Sequence, residues 1–411
     1  MPADRRLFRF LLYLMPAMLD CITGIFLFIG PVRATILGYD PLVAGSMVTA
    51  RSLACCLIGL LTARILTNRN AVRLMFLGNI MMLGVCLLGL AAANLAMLYA
   101  TSFLLGAFQV IFYTPFQLFM KQVDVDASKP LSRAVGSYTA AWCVGMSFGP
   151  FITGFLMRFN GSGNGAGDSS GWIYSYLAAA ALTAAMLAIL IWVAKNSREF
   201  RRRTPDPKDA PAAVPGGEKW PDLAWLGWSM GFFSLIALGM IKGVFPAEMT
   251  RAGQPGWLTG SLMMVLSFTT GVFAYAASAR WRWLYSGPAM FGFGLLGTAG
   301  LLLFLYPAWA GQDLIANAWP YFAAMLLFGS YAGVAFLYSG FHALAHPKKA
   351  GRNISLNECF ISAGVMTGPL LGGWLAKRHG FFPPFELAAV LIGLLGAFQL
   401  LAHRKYGKRR T

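Results

Sequence analysis

Residues 145–157 read GMSFGPFITGFLM, and residues 364–376 read GVMTGPLLGGWLA. Both are apolar stretches in which glycine and proline recur where a soluble helix would avoid them. Both lie in long apolar runs, as a helix in lipid would. Lipid tails are as apolar as Leu, and helices there associate through close approach at small residues. Gly145/Gly149 and Gly364/Gly368 each form a small-xxx-small face. Pro150 and Pro369 each remove a backbone hydrogen bond and bend the helix. Such a helix packs tightly against its neighbour and still pivots.

The rest of the chain supports a membrane solvent. Of 411 residues, 57% are hydrophobic and 12% are charged, against about a quarter charged in ordinary soluble domains. A spanning helix needs about 20 mainly apolar residues. About twelve such runs can be drawn: 8–29, 40–62, 71–92, 95–119, 134–157, 172–194, 223–246, 256–279, 285–306, 317–342, 353–376 and 382–402. The first follows RRLFR but is too long for a signal-peptide core and contains Asp20, so it reads as a helix.

The formal charge of +18 would suggest nucleic acid if it were carried by a soluble domain. Instead Lys and Arg gather in alternate loops and at both termini, the positive-inside pattern, which places both termini in the cytoplasm. The basic excess then reports topology and contact with anionic membrane lipids, with no nucleic-acid partner. The six cysteines fall inside apolar runs without disulfide or metal spacing, and no cofactor is implied.

The longest polar segment, 195–222, separates six runs from six. It predicts an N-terminal half at 1–194, a cytoplasmic linker and a C-terminal half at 223–411. Sliding Arg133 onto Arg352 brings Gly145 onto Gly364, Gly149-Pro150 onto Gly368-Pro369 and Gly154 onto Gly373. A duplicated six-helix unit follows, and parallel repeats of this kind place a substrate site between the halves.

Twelve runs in two related halves with a basic central loop resemble the major facilitator superfamily (MFS) of secondary transporters. In that family the fifth helix of drug–proton antiporters often carries G-x-x-x-G-P-x-x-G-G. Here Gly145, Gly149, Pro150 and Gly154 match and Thr153 replaces a glycine, while Gly364, Gly368, Pro369, Gly372 and Gly373 repeat the pattern in run eleven. The loop after the second run, GLLTARILTNRNAVR, keeps Gly59 and Arg64 of the family's G-x-L-A-D-R-x-G-R-R, with Ala63 at the aspartate. In run four Ser102 stands where the family often has arginine. The resemblance implies an all-α membrane protein of twelve transmembrane helices in two pseudo-symmetric six-helix halves. It also implies a cavity lined by helices one, four, seven and ten.

Ionisable groups at membrane depth are costly and therefore candidate functional groups. Asp20 lies about 18 Å and Arg51 about 20 Å from the same side, at 1.5 Å per residue. A pair between them follows, read either as a static ion pair or as a substrate or proton site. Glu358 lies in the inner half, as a gate, a proton carrier or a helix N-terminal charge. Lys242 is placed near the outer end of run seven, snorkelling to the interface. Polar stripes add Gln109, Tyr113 and Gln117 on run four, Tyr331, Tyr338 and His342 on run ten, and Tyr13 with Thr23 on run one.

GMSFG fits the hydrolase elbow and GFGLLG (292–297) fits the dinucleotide fingerprint. Both lie within apolar helices without the strand–turn–helix context that chemistry needs. The expectation is thus a monomeric transporter, not an enzyme, in the plasma (bacterial inner) membrane. It moves a small-molecule substrate by alternating access, with proton coupling through Asp20. A facilitator without coupling and a non-transporting sensor on the same fold stand as alternatives.

Overall fold

A computed structural model describes residues 5–67, 70–92, 94–124, 131–157, 171–201, 221–310, 318–345 and 350–406. Residues 202–220 of the predicted linker lie outside them. The described residues are helices joined by short turns, with no strand.

The first six long helices are α1 (Arg5–Ile36), α2 (Pro41–Ile65), α3 (Ala71–Leu90), α4 (Leu95–Asp124), α5 (Leu131–Leu156) and α6 (Gly171–Arg201). The second six are α7 (Ala224–Arg251), α8 (Gly256–Ala277), α9 (Gly287–Leu303), α10 (Trp319–Ala345), α11 (Ala350–His379) and α12 (Pro383–Tyr406). A 3₁₀ turn at Trp281–Tyr285 and a helical turn at Tyr306–Trp309 flank α9. Eleven of the long helices are long and apolar enough to cross a membrane; α9, with 17 residues, is the short one. The chain is an integral membrane protein.

Several helices run past their apolar runs. The sixth continues to Arg201, so residues 195–201 of the predicted linker are helical. The seventh continues to Arg251, not 246. Hydropathy marks only the part of a helix in lipid. The backbone hydrogen bonds continue into the interface, where charged residues are welcome.

One buried apolar cluster is built from α1, α3, α4 and α6, with Phe26, Met82, Phe112 and Tyr176 at its heart. A second is built chiefly from α7 to α12, around Phe245, Phe304, Tyr321 and Phe385. The rings of Phe304 and Phe385 stack at 4.5 Å.

The glycine-proline helices sit where these assemblies meet. In α5, a Cβ on Gly145 would strike the carbonyl of Ala17, and one on Gly149 would lie 2.7 Å from Gly24 Cα; both partners are on α1. Further along α5, Gly154 meets the carbonyl of Gly256, and Pro150 meets Gly260, both on α8 of the other half. The second half repeats this. Gly364 and Gly368 face Phe232, Ile236 and Gly239 on α7, while Pro369 and Gly373 face Gly45 and Pro41 on α2. The prolines seat alike: Pro150 Cδ against Gly24, and Pro369 Cδ against Gly239. Each proline helix thus carries one glycine face to its own half and another to the opposite half. A Cβ at these positions would meet backbone, which cannot yield as a side chain does.

Candidate functional site

Asp20 lies midway along α1 and is 4% exposed. Gln109 of α4, equally buried, points its amide nitrogen at the Asp20 carboxylate over 3.5 Å. The amide oxygen of Gln109 accepts a hydrogen bond from Arg51 Nη2 on α2. The predicted Asp20–Arg51 pair therefore takes a different form. The residues lie at one depth, but the two-faced amide stands between them, NH₂ to the acid and carbonyl to the base. Arg51 Nε is buried without a hydrogen-bond partner.

Local packing puts Arg51 there. Gly106, one turn before Gln109, has no side chain, so the α2 backbone comes against α4 at the Arg51 carbonyl. Cys55, one turn beyond Arg51, donates to the Gly106 carbonyl at 3.3 Å. A small pocket opens between Phe26, Gly30, Met47, Arg51 and Ser102. The family-typical arginine position in run four, Ser102, thus faces the space where Arg51 already provides a cation.

Lys242 corrects the sequence-based reading. It is not at the end of its helix: α7 runs nine residues further, to Arg251. It lies among buried neighbours, within electrostatic range of Asp20, Arg51 and Cys143. Interior packing of α7 against α1 and α11 overrides snorkelling. The signal available in the sequence was Arg251, a better interfacial residue on the same helix.

The other residues of the α4 stripe also turn inward. The Tyr113 hydroxyl donates to the Pro16 carbonyl at 3.3 Å, and Gln117 donates to the Tyr138 hydroxyl at 3.2 Å. The Tyr113 and Tyr138 rings meet edge to face at 6.3 Å. Tyr138, on α5, was not singled out from the sequence. Glu358 of α11 is partly buried and within interaction range of Gln117, across the interface between the halves. It also lies within electrostatic range of Cys55 and Tyr138.

Tyr338 is not brought to this centre. Its hydroxyl is 2.9 Å from His403 Nε2 and 3.3 Å from Gln399 Oε1, both on α12. The rest of the α10 stripe behaves similarly: Tyr331 bonds Ser234 at 2.7 Å, and His342 meets the Leu284 carbonyl at 3.0 Å. Buried polar tips need partners, and here partners in the same half satisfy them. Gln399 and His403, one turn apart on a buried face, were the sequence signal for this. Tyr13 is likewise engaged elsewhere, donating to Asp124 at 2.5 Å beside Arg9.

On the face opposite the chain ends, Asp40 pairs with Lys377 at 2.8 Å, linking the start of α2 to the end of α11. Asp40 also caps α2 by accepting from Val43 N at 3.0 Å. The Lys377 ammonium, aided by that cap bond, holds the Asp40 carboxyl below the usual carboxylate range. Thr49 donates across the halves to the Met366 carbonyl at 2.8 Å.

The sequence matches the family profile of the Major Facilitator Superfamily over residues 12–346. The chain belongs to this superfamily. No curated protein sequence matches it significantly. Among solved structures, it is similar to a bacterial homologue of the human lysosomal transporter Spinster in an inward-facing and occupied conformation. That likeness has a TM-score of 0.70 at 16% identity and covers 100% of this chain and 99% of the other. It is also similar to the proton:xylose symporter XylE bound to 6-bromo-6-deoxy-D-glucose, with a TM-score of 0.67 at 10% identity, covering 99% and 97% of the two chains. At these identities the likeness is one of fold. Family and fold are those of a membrane transporter rather than an enzyme.

Proposed function

We propose that this chain is a secondary active transporter that moves a small organic solute by alternating access, coupled to protons at Asp20. The carrying observation is the buried Asp20–Gln109–Arg51 relay, with Lys242 of the other half in range. A buried carboxylate beside cations changes its attraction to them when it takes up a proton. A group that interacts differently with two conformations shifts the balance between them. The glycine faces of α5 and α11 are the surfaces on which the two halves rock.

In this reading 1–194 and 223–411 are the moving halves, joined through 195–222. Both termini face the cytoplasm of a bacterial inner-membrane protein, which works as a monomer in contact with anionic lipids. Glu358, with Gln117 and Tyr138, lies on the route towards the face bearing the chain ends. Proton:xylose symport by XylE, a relative in fold, is in keeping with proton coupling.

The test is solute accumulation in proteoliposomes under an imposed pH gradient, using solutes first selected by thermal stabilisation of the purified protein. Asp20→Asn should abolish uphill accumulation and retain counterflow exchange. Accumulation by Asp20→Asn at the wild-type level would exclude coupling at this residue. Wild-type uptake indifferent to the gradient would favour a facilitator.

A further inference from the structure

Two cations at the centre, Arg51 and Lys242, have no carboxylate at ion-pairing distance among the described residues. Resting on the reading of this centre as the transport site, we propose that the solute is an organic anion presenting one carboxylate, held between Arg51 of the first half and Lys242 of the second.

Charge inventory is the first support. Asp20 lies within electrostatic range of two cations, Arg51 and Lys242. Lys242 lies within range of Asp20 and Arg51, and Glu358 is not among the groups acting on it. Glu358 bonds Gln117 and shares Cys55 and Tyr138 with Asp20 as electrostatic neighbours. Among the described residues, neither Arg51 nor Lys242 has a carboxylate at ion-pairing distance.

Unused hydrogen-bonding capacity is the second. Arg51 spends one Nη on the Gln109 carbonyl, and its Nε is buried without a partner. No side-chain hydrogen bond holds Lys242. Buried cations left unpaired are destabilising unless something supplies the missing charge. A guanidinium presents a planar fork suited to a two-oxygen anion, and an ammonium adds a compact point charge. A carboxylate offers two coplanar oxygens to that fork and sets one negative charge between the two cations. A cationic solute would meet two like charges, and Asp20 already receives the Gln109 amide.

The placement gives the anion a mechanical effect. Arg51 is on α2 and Lys242 on α7, so a carboxylate between them ties one half to the other. It would favour the conformation in which the two cations converge.

The experiment uses full-length protein in lipid nanodiscs without a proton gradient, so failure of coupling leaves it unaffected. Thermal unfolding is followed with benzoate, phenylacetate, lactate and pyruvate, with the amides of each, and with benzylamine. At least one carboxylate should raise the wild-type Tm where its amide and the amine do not. Lys242→Met should leave the solute-free protein at least as thermostable as wild type, since it removes a partly buried cation that has no ion-pair partner among the described residues. It should weaken binding of that carboxylate at least about tenfold, the value of a lost charge-assisted hydrogen bond. Lys242→Arg should retain binding. No response to any carboxylate, an equal response to the amides or amine, or full binding by Lys242→Met would overturn the proposal.

Discussion

The side-chain amide of Gln109 lies 3.5 Å from the Asp20 carboxylate, with its other face taken by Arg51. Charge at the centre of this protein is therefore handled through a neutral intermediary. A direct ion pair would resist separation. An amide bridge lets the acid gain or lose a proton while the arginine keeps an acceptor.

A double-mutant cycle reads this arrangement. Asp20→Asn alone leaves two cations without their nearby acid, and the fold should lose stability, by less than the roughly 3–5 kcal/mol of breaking a direct buried pair, because the Gln109 amide stands between the charges. Asp20→Asn with Arg51→Gln should recover much of that loss in thermal unfolding. The double variant should still fail in proton-driven accumulation. Recovery of both stability and accumulation would leave Asp20 with a structural role only.

Gln109→Leu should be worse than its size suggests. It deprives Arg51 of its acceptor and Asp20 of its donor while changing volume little. We expect a lower Tm and loss of transport, with Gln109→Asn intermediate because the amide is kept but its reach is shortened. Wild-type transport by Gln109→Leu would show the relay to be incidental.

The glycine contacts predict a contrast between positions. Gly149→Ala and Gly368→Ala place a methyl against backbone and should lower stability and transport, since overpacking costs typically about 1–3 kcal/mol. Gly84→Ala, within α3, meets nothing within 4 Å and should be neutral or slightly stabilising. Equal behaviour of all three in thermal unfolding would deny the close packing.

Acid should loosen the Asp40–Lys377 tie. Asp40 has a lowered pKa in the folded state, so its contribution is present above the usual carboxylate pKa, about 3.9. It is lost as pH falls through the lower folded value. Asp40→Asn keeps an N-cap but not the charge. The Tm difference between wild type and Asp40→Asn should shrink steadily below about pH 4. A difference constant from pH 7 down to about pH 3 would refute it.

Orientation can be checked by thiol labelling in a background without native cysteines. Leu37→Cys and Ala279→Cys fall on exposed residues at opposite ends of the bundle. An impermeant reagent applied to intact cells should label Leu37→Cys alone. Labelling of Ala279→Cys would invert the assignment.

Twelve helices were legible because a spanning segment must be long and apolar, and that composition survives any detail of packing. The glycine-proline pairs were legible because close approach demands the smallest residue. Depth was legible too: counting from the helix ends brought Asp20 and Arg51 to one level. Direction around the helix was harder. Tyr338 and Gln117 carry the same kind of polar stripe, yet one turns to α12 and the other to the centre. That choice depends on which neighbour offers a partner, here Gln399 and His403 against Tyr138. Lys242 was misplaced because the apolar run ended before the helix did.

Among the described residues, the polar ties along two of the seams between the halves lie at diagonal corners. Along the α2–α11 seam, Asp40–Lys377 and Thr49–Met366 fasten the half of the seam nearer the face opposite the chain ends. Along the α5–α8 seam, Arg133 lies at the other face, with its guanidinium 5.2 Å from the Tyr275 ring centroid and a hydrogen bond to the Tyr275 carbonyl at 3.5 Å. A body pinned at diagonal corners yields to torsion before it yields to parallel separation. Each seam is thereby expected to open first at the end away from its polar tie, the two in opposite senses. Paired distance labels along both seams should then report anticorrelated changes during turnover; lengthening in unison would show a simple clamshell instead.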